Sequence, residues 1–193
     1  MSLYETDDDT YCYPGTTVLK NLRNLRTQKA LTRFETAATA QRFDEPLPTG
    51  LSSVRHFLGI HRHLFQDVYP WAGKPRTVRI SKPGSAPFCY PQHIDGQLRQ
   101  AFGRLKANRY LRNRSADEFA VAASDFLSIL NAIHTFRDGN GRAQMAFMAV
   151  LADKAGHSLH LDRLHPERFL RAMIRSFVGD NGPLERELRL LIG

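Results

Sequence analysis

Residues 115–133 read SADEFAVAASDFLSILNAI, and this stretch decides the fold class. Ser115 and Glu118, three positions apart, make a capping box that satisfies free amides at a helix start. Phe119, Ala122, Phe126, Ile129 and Ile133 then recur at helical spacing and predict one apolar face. Working outward, the helical pattern resumes from about Arg142 to Ala155, burying Met145, Met148, Leu151 and Ala152, with Gly156 as its stop. Phe169, Met173 and Phe177 mark the next helix, and Pro183 opens a last one with Leu184, Leu188 and Leu191. Upstream, Val54, Leu58, His61 and Leu64, with Phe57 and Phe65 alongside, follow a turn at Pro48-Thr49-Gly50, and Ile94, Leu98, Ala101, Phe102 and Leu105 follow Pro91. Only Thr77–Ile80 and Phe88–Tyr90, around Lys82-Pro83-Gly84-Ser85, read as a β-hairpin, which Pro87 confines to an exposed edge. The prediction is an all-α bundle with one small hairpin, folded as a single domain over residues 1–193.

Composition removes several function classes. No stretch approaches the roughly 18 apolar residues that span a bilayer. The opening MSLYETDDDT is too acidic for a signal peptide, so the expectation is a soluble protein that starts in a cytoplasm. Cys12 and Cys89 stand far apart and read as reduced thiols. The net charge of +8 invites a nucleic-acid reading. The arginines are scattered, however, and no nucleic-acid motif accompanies them, so solvated helix faces explain them better. His61 and His63 point to different helix faces, and His157, His160 and His165 lack partners at zinc spacing.

Between the two strongest helices stands His134-Thr135-Phe136-Arg137-Asp138-Gly139-Asn140-Gly141. Gly139-Asn140-Gly141 can take positive φ and turn its amides into a nest, and the following helix start adds free N–H groups and a positive dipole end. Together they suit a diphosphate. Arg142 adds charge-assisted hydrogen bonds to phosphate oxygens. Asp138 would be repelled by phosphate unless a divalent cation lay between them, which makes it a candidate Mg²⁺ ligand. Phe136 anchors the loop, and His134 is the loop's one proton-exchanging side chain near neutral pH. On the turn alone, an ordinary interhelical loop with a capping histidine explains these residues equally well.

The whole string changes that balance. His134–Arg142 resembles the Fic family signature HxFx[D/E]GNGRxxR at all seven specified positions of its first nine. Tyr11–Gly15, His61–Tyr69, Trp71-Ala72-Gly73 and Thr77–Lys82 also look like the Fic domains of bacterial toxin–antitoxin systems and type IV-secreted effectors. The resemblance implies a protein adenylyltransferase. His134 would deprotonate a Ser, Thr or Tyr hydroxyl of a target protein, which attacks the α-phosphate of ATP. Asp138 would hold Mg²⁺, Gly139, Asn140 and Gly141 would cradle the phosphates, and Arg142 would grip the β-phosphate region. The hairpin, at about residues 76–90, resembles the family's flap, with Ile80, Ser81 and Lys82 placed to meet the target by β-augmentation. Target classes within the family include topoisomerase subunits and host small GTPases. Secretion into a host by a type IV system and control by a small antitoxin are further implications.

The chain departs from the signature at one specified position and from common family features in two further respects. Met145 stands where the second motif arginine, the γ-phosphate contact, would be, and Thr135 replaces a usual proline. The inhibitory [S/T]xxxE[G/N] motif is missing. Met145 leaves three readings open: compensation by another basic residue, a different nucleotide preference, or reduced activity. The alternatives in other classes are a catalytically inactive binding module of the same fold and a transferase of another phosphate-containing group.

Overall fold

The computed structural model describes residues 9–82 and 86–193. Seven α-helices run through the described residues: α1 (Gln28–Phe43), α2 (Val54–Phe65), α3 (Pro91–Ala107), α4 (Ala116–Ile133), α5 (Asn140–Ala155), α6 (Pro166–Phe177) and α7 (Gly182–Leu191). The all-α prediction holds. The chain divides into two compact units, residues 1–95 with 134–143, and residues 96–133 with 144–193.

In the first unit α1 and α2 pack together. α1 was not foreseen. Its sequence, QKALTRFETAATAQRF, has no apolar stripe, and only Leu31 and Thr39 are buried. It is started by Thr27, whose side chain accepts from the Ala30 amide. Its far end is fixed by Arg42, which pairs with Asp67 at 2.6 Å and Glu45 at 2.8 Å. In α2 the buried side is Phe57, Ile60, His61, Leu64 and Phe65, while Val54 and Leu58 are only half-buried. The two arms of the predicted hairpin are joined by the Phe88 amide donating to the Ile80 carbonyl at 3.2 Å. Its turn at 83–85 lies outside the described residues.

The second unit is apolar helix packing. α4 contacts α6 and α7, and α6 contacts α7. The capping box forms as predicted, with Ser115 and Glu118 hydrogen-bonded both ways. The buried face of α4 is wider than the predicted stripe. Phe119, Phe126 and Ile133 are buried, but so are Ala120, Ala123, Leu127 and Leu130, while Ala122 and Ile129 are only half-buried. A helix covered by more than one neighbour cannot be read from a single face. Phe102 meets Phe126 and Phe147 edge-on at 5.4 Å, and Leu184, Leu188 and Leu191 bury the inner side of α7. Asn131 donates to the Met173 carbonyl at 2.8 Å, a buried polar tie between α4 and α6. Met145, on α5, is buried.

Candidate active site

The loop that the sequence singles out lies in the first unit, and α5 starts two residues earlier than predicted. Asn140 and Gly141 are therefore helical, and of the Gly-Asn-Gly run only Gly139 has a positive φ, 76°. The first rung of the helix is the Ala143 amide donating to Gly139 O at 3.1 Å. That leaves the amides of Asn140, Gly141 and Arg142 outside the helix's own ladder, at its positive end. The candidate anion hole is thus a helix start entered through one left-handed glycine. Gly139 is required twice over, because a Cβ there would collide with the Phe65 ring.

Asn140 is buried, and its side chain does not face outward. It accepts from the Phe136 amide at 2.9 Å and donates to the Phe136 carbonyl at 2.8 Å, which clamps the loop onto itself. Any phosphate contact from Asn140 is left to its backbone. Phe136 is fully buried, as expected, stacked on His61 at 3.6 Å and against Phe57 at 5.3 Å.

His134 follows the end of α4 with φ of 48°, an uncommon conformation for a side-chain-bearing residue. Its ring is largely buried and stacks on Phe88 of the second flap arm at 3.8 Å. Asp138 accepts from the Gly139 amide at 2.5 Å. Burial, followed by the negative charge of Glu35, pushes its carboxyl above the ordinary carboxylate range. A cation beside it would reverse that penalty, so Asp138 fits the proposed Mg²⁺ role. No cluster of three or more His, Cys, Asp or Glu that could hold a metal occurs among the described residues, so phosphate oxygens and water would complete the shell beside Asp138.

Arg142 is held from three sides. It pairs with Glu35 of α1, bonds Thr39 Oγ1 at 3.3 Å, and lies over the Phe65 ring at 4.5 Å. The Tyr69 hydroxyl donates to the other oxygen of Glu35. Of the flap residues singled out, Ile80 is fully buried and turned inward, while Ser81 and Lys82 are half-buried. Burial holds the Lys82 ammonium below its usual range.

Sequence reading missed four supports of this loop. His61 takes a hydrogen bond from the Gly73 amide on Nδ1 at 2.9 Å, which leaves the hydrogen on Nε2 to donate to the Asp138 carbonyl at 3.1 Å. Burial lowers its pKa to about 3, so the ring stays neutral. Arg137, buried, pairs with Asp9, which also accepts from the Cys12 thiol at 3.1 Å. Glu35 and Arg76 complete the set. Each works mainly through partners distant in sequence, such as Asp138 for His61 and Asp9 for Arg137, so no local pattern marks its role.

Residues 51–152 match the model of the Fic/DOC family, and the chain belongs to that family. It is 46% identical, over all of both chains, to a probable protein adenylyltransferase, y4lH, of Sinorhizobium fredii. It is 36% identical to the protein adenylyltransferase VbhT of Bartonella schoenbuchensis, matching 98% of this chain and 40% of that protein. Among solved structures it superposes on BepC of Bartonella tribocorum, a VirB-translocated effector with bound AMPPNP, at a TM-score of 0.86 and 28% identity, covering 95% of this chain and 96% of that one. No described helix is long and apolar enough to cross a membrane.

Proposed function

We propose that this protein transfers AMP from ATP to a hydroxyl of a target protein, with His134 as the general base. The observation that supports it most is that the loop opened by His134 carries Asp138 and leads straight into a helix start whose first three amides lie outside the helix ladder beside Arg142, a set that suits a polyphosphate. The relatives named as adenylyltransferases and the AMPPNP-bound neighbour support ATP as the nucleotide.

His134 removes the proton from the incoming hydroxyl as the oxygen attacks the α-phosphorus, and pyrophosphate leaves. The α5 amides and Arg142 take up negative charge developing on the phosphates, and Glu35 keeps the guanidinium aimed. Asp138 is the residue that would hold Mg²⁺, whose chemistry is charge neutralisation on the phosphate oxygens. The arms of the flap present Ser81 and Lys82 to an extended target segment, which pairs with exposed backbone. Met145 withholds one charge-assisted contact from the γ-phosphate, worth about 1.5–3 kcal/mol, so weaker ATP use than in relatives bearing arginine is part of the proposal. Single-domain behaviour over residues 1–193, a target such as a topoisomerase subunit or a host small GTPase, control by a small antitoxin and translocation from the producing cell belong to the same reading.

Incubation of a lysate with ATP labelled at the α- or the γ-phosphate, beside His134→Ala, tests it. Label from the α-phosphate alone, lost with His134, is expected. Label from the γ-phosphate points to phosphorylation instead, and no label at all to a binding module. A gain on Met145→Arg would identify the missing arginine as the limit on turnover.

A further inference from the structure

Arg76 is buried to 2% exposure, and its guanidinium reaches three backbone carbonyls belonging to three segments. Nε donates to His134 O at 2.9 Å, one terminal nitrogen to Val78 O at 2.7 Å, and the other to Cys89 O at 2.5 Å. Its own amide donates to Thr135 O at 2.9 Å. Val78 lies on the first flap arm, Cys89 on the second, and His134 and Thr135 open the catalytic loop. One side chain therefore joins both arms of the flap to the residue that carries the base.

We propose that Arg76 is a positioning residue that sets the flap and the His134 backbone in one register, so that a docked target segment and the imidazole align together. The assignment rests on the adenylyl-transfer reading for its consequence, though not for its geometry. Two features beyond the hydrogen bonds carry it. His134 holds a left-handed φ of 48°, which needs an outside restraint, and its carbonyl is one of the three bonded groups. Its ring also stacks on Phe88, the neighbour of Cys89 on the second arm, at 3.8 Å. The arm is thus fixed to His134 at the backbone through Arg76 and at the side chain through Phe88. The planar fork of arginine can serve three diverging acceptors, whereas the point-like ammonium of lysine cannot hold all three.

Arg76→Lys and Arg76→Ala in the full chain test this by three measurements: amide exchange, incorporation of α-labelled ATP in a lysate, and calorimetric binding of a non-hydrolysable ATP analogue with Mg²⁺. In Arg76→Lys, exchange should accelerate together at 77–82, 86–90 and 134–137 by roughly tenfold or more. Labelling should fall by about tenfold or more through misalignment. Analogue affinity should stay within about threefold, because the α5 amides are untouched. Acceleration confined to the flap arms, labelling that stays near the parent level, or a general loosening of the whole chain would each overturn the proposal. Should Arg76→Ala fail to fold, the lysine variant decides. If the parent labels nothing, the adenylylation reading fails while the exchange measurement still judges the coupling.

Discussion

The two units bury different kinds of side chain. Around the signature loop the first unit encloses Arg76, His61, Arg137 and Asn140, and each holds a backbone carbonyl or a carboxylate. The second encloses Phe119, Leu127, Leu130, Phe147, Leu184 and Leu188, with few polar ties. Apolar burial is non-directional and supplies stability in proportion to area, while hydrogen bonds to fixed carbonyls choose one geometry among several. On the proposed function, the contrast would divide the part of the molecule that keeps it folded from the part that keeps its site aligned.

The sharpest test of that division is a pair of substitutions, one per unit. Leu127→Ala should lower unfolding free energy by about 2–5 kcal/mol in a denaturant titration, because a fully buried leucine leaves a cavity. Labelling per folded molecule should barely change. Gly139→Ala should cost about 2–4 kcal/mol through its positive φ and its collision with Phe65. Here activity should vanish even in molecules that remain folded, and Phe65→Leu should restore part of the stability. If both variants lost activity only in step with folding, the division would be wrong.

His61→Phe keeps the ring stack but removes two buried hydrogen bonds, for an expected loss of about 1–3 kcal/mol and a disproportionate fall in labelling. It also carries a pH signature. With the folded pKa down to about 3 and the unfolded one near the usual 6.5, the unfolded chain binds more protons between those values. The parent should therefore lose stability as pH falls from about 6.5 towards 3, and the phenylalanine variant should lack that share of the slope. The smallest effect is expected at Thr135, whose buried hydroxyl has no hydrogen-bond partner among the described residues. Thr135→Val should raise stability by about 1 kcal/mol, visible as a modest rise in melting temperature.

The same contrast explains what could be read from sequence. The helices of the second unit announced themselves through periodic Phe, Leu and Met, and α4 was misread only in the width of its buried face. His134, Asp138 and Arg142 stand out as candidates because they sit in one contiguous string. α1 escaped because TRFETAATAQ buries almost nothing, yet it carries the Glu35 that holds Arg142. Arg76 was one of 21 arginines, and nothing local distinguishes it from those on solvated helix faces. The predicted Gly-Asn-Gly nest was half right. The helix begins earlier than its amphipathic pattern, so only Gly139 takes a positive φ, and the Asn140 side chain clamps Phe136 while its amide stays at the helix start.

The pairing of Arg137 with Asp9 has a practical consequence. Arg137 sits directly before the proposed Mg²⁺ ligand; burial pushes the Asp9 carboxyl up, but the hydrogen bonds and charge of Arg137, with hydrogen bonds from Cys12 and the Tyr11 amide, hold it below the ordinary carboxylate range. A chain shortened to begin at Val18 would retain every helix and the whole signature, yet strip that acceptor from the loop. Preparations trimmed for convenience at the amino end would then look folded and turn over poorly, and the fault would be sought in the wrong half of the sequence.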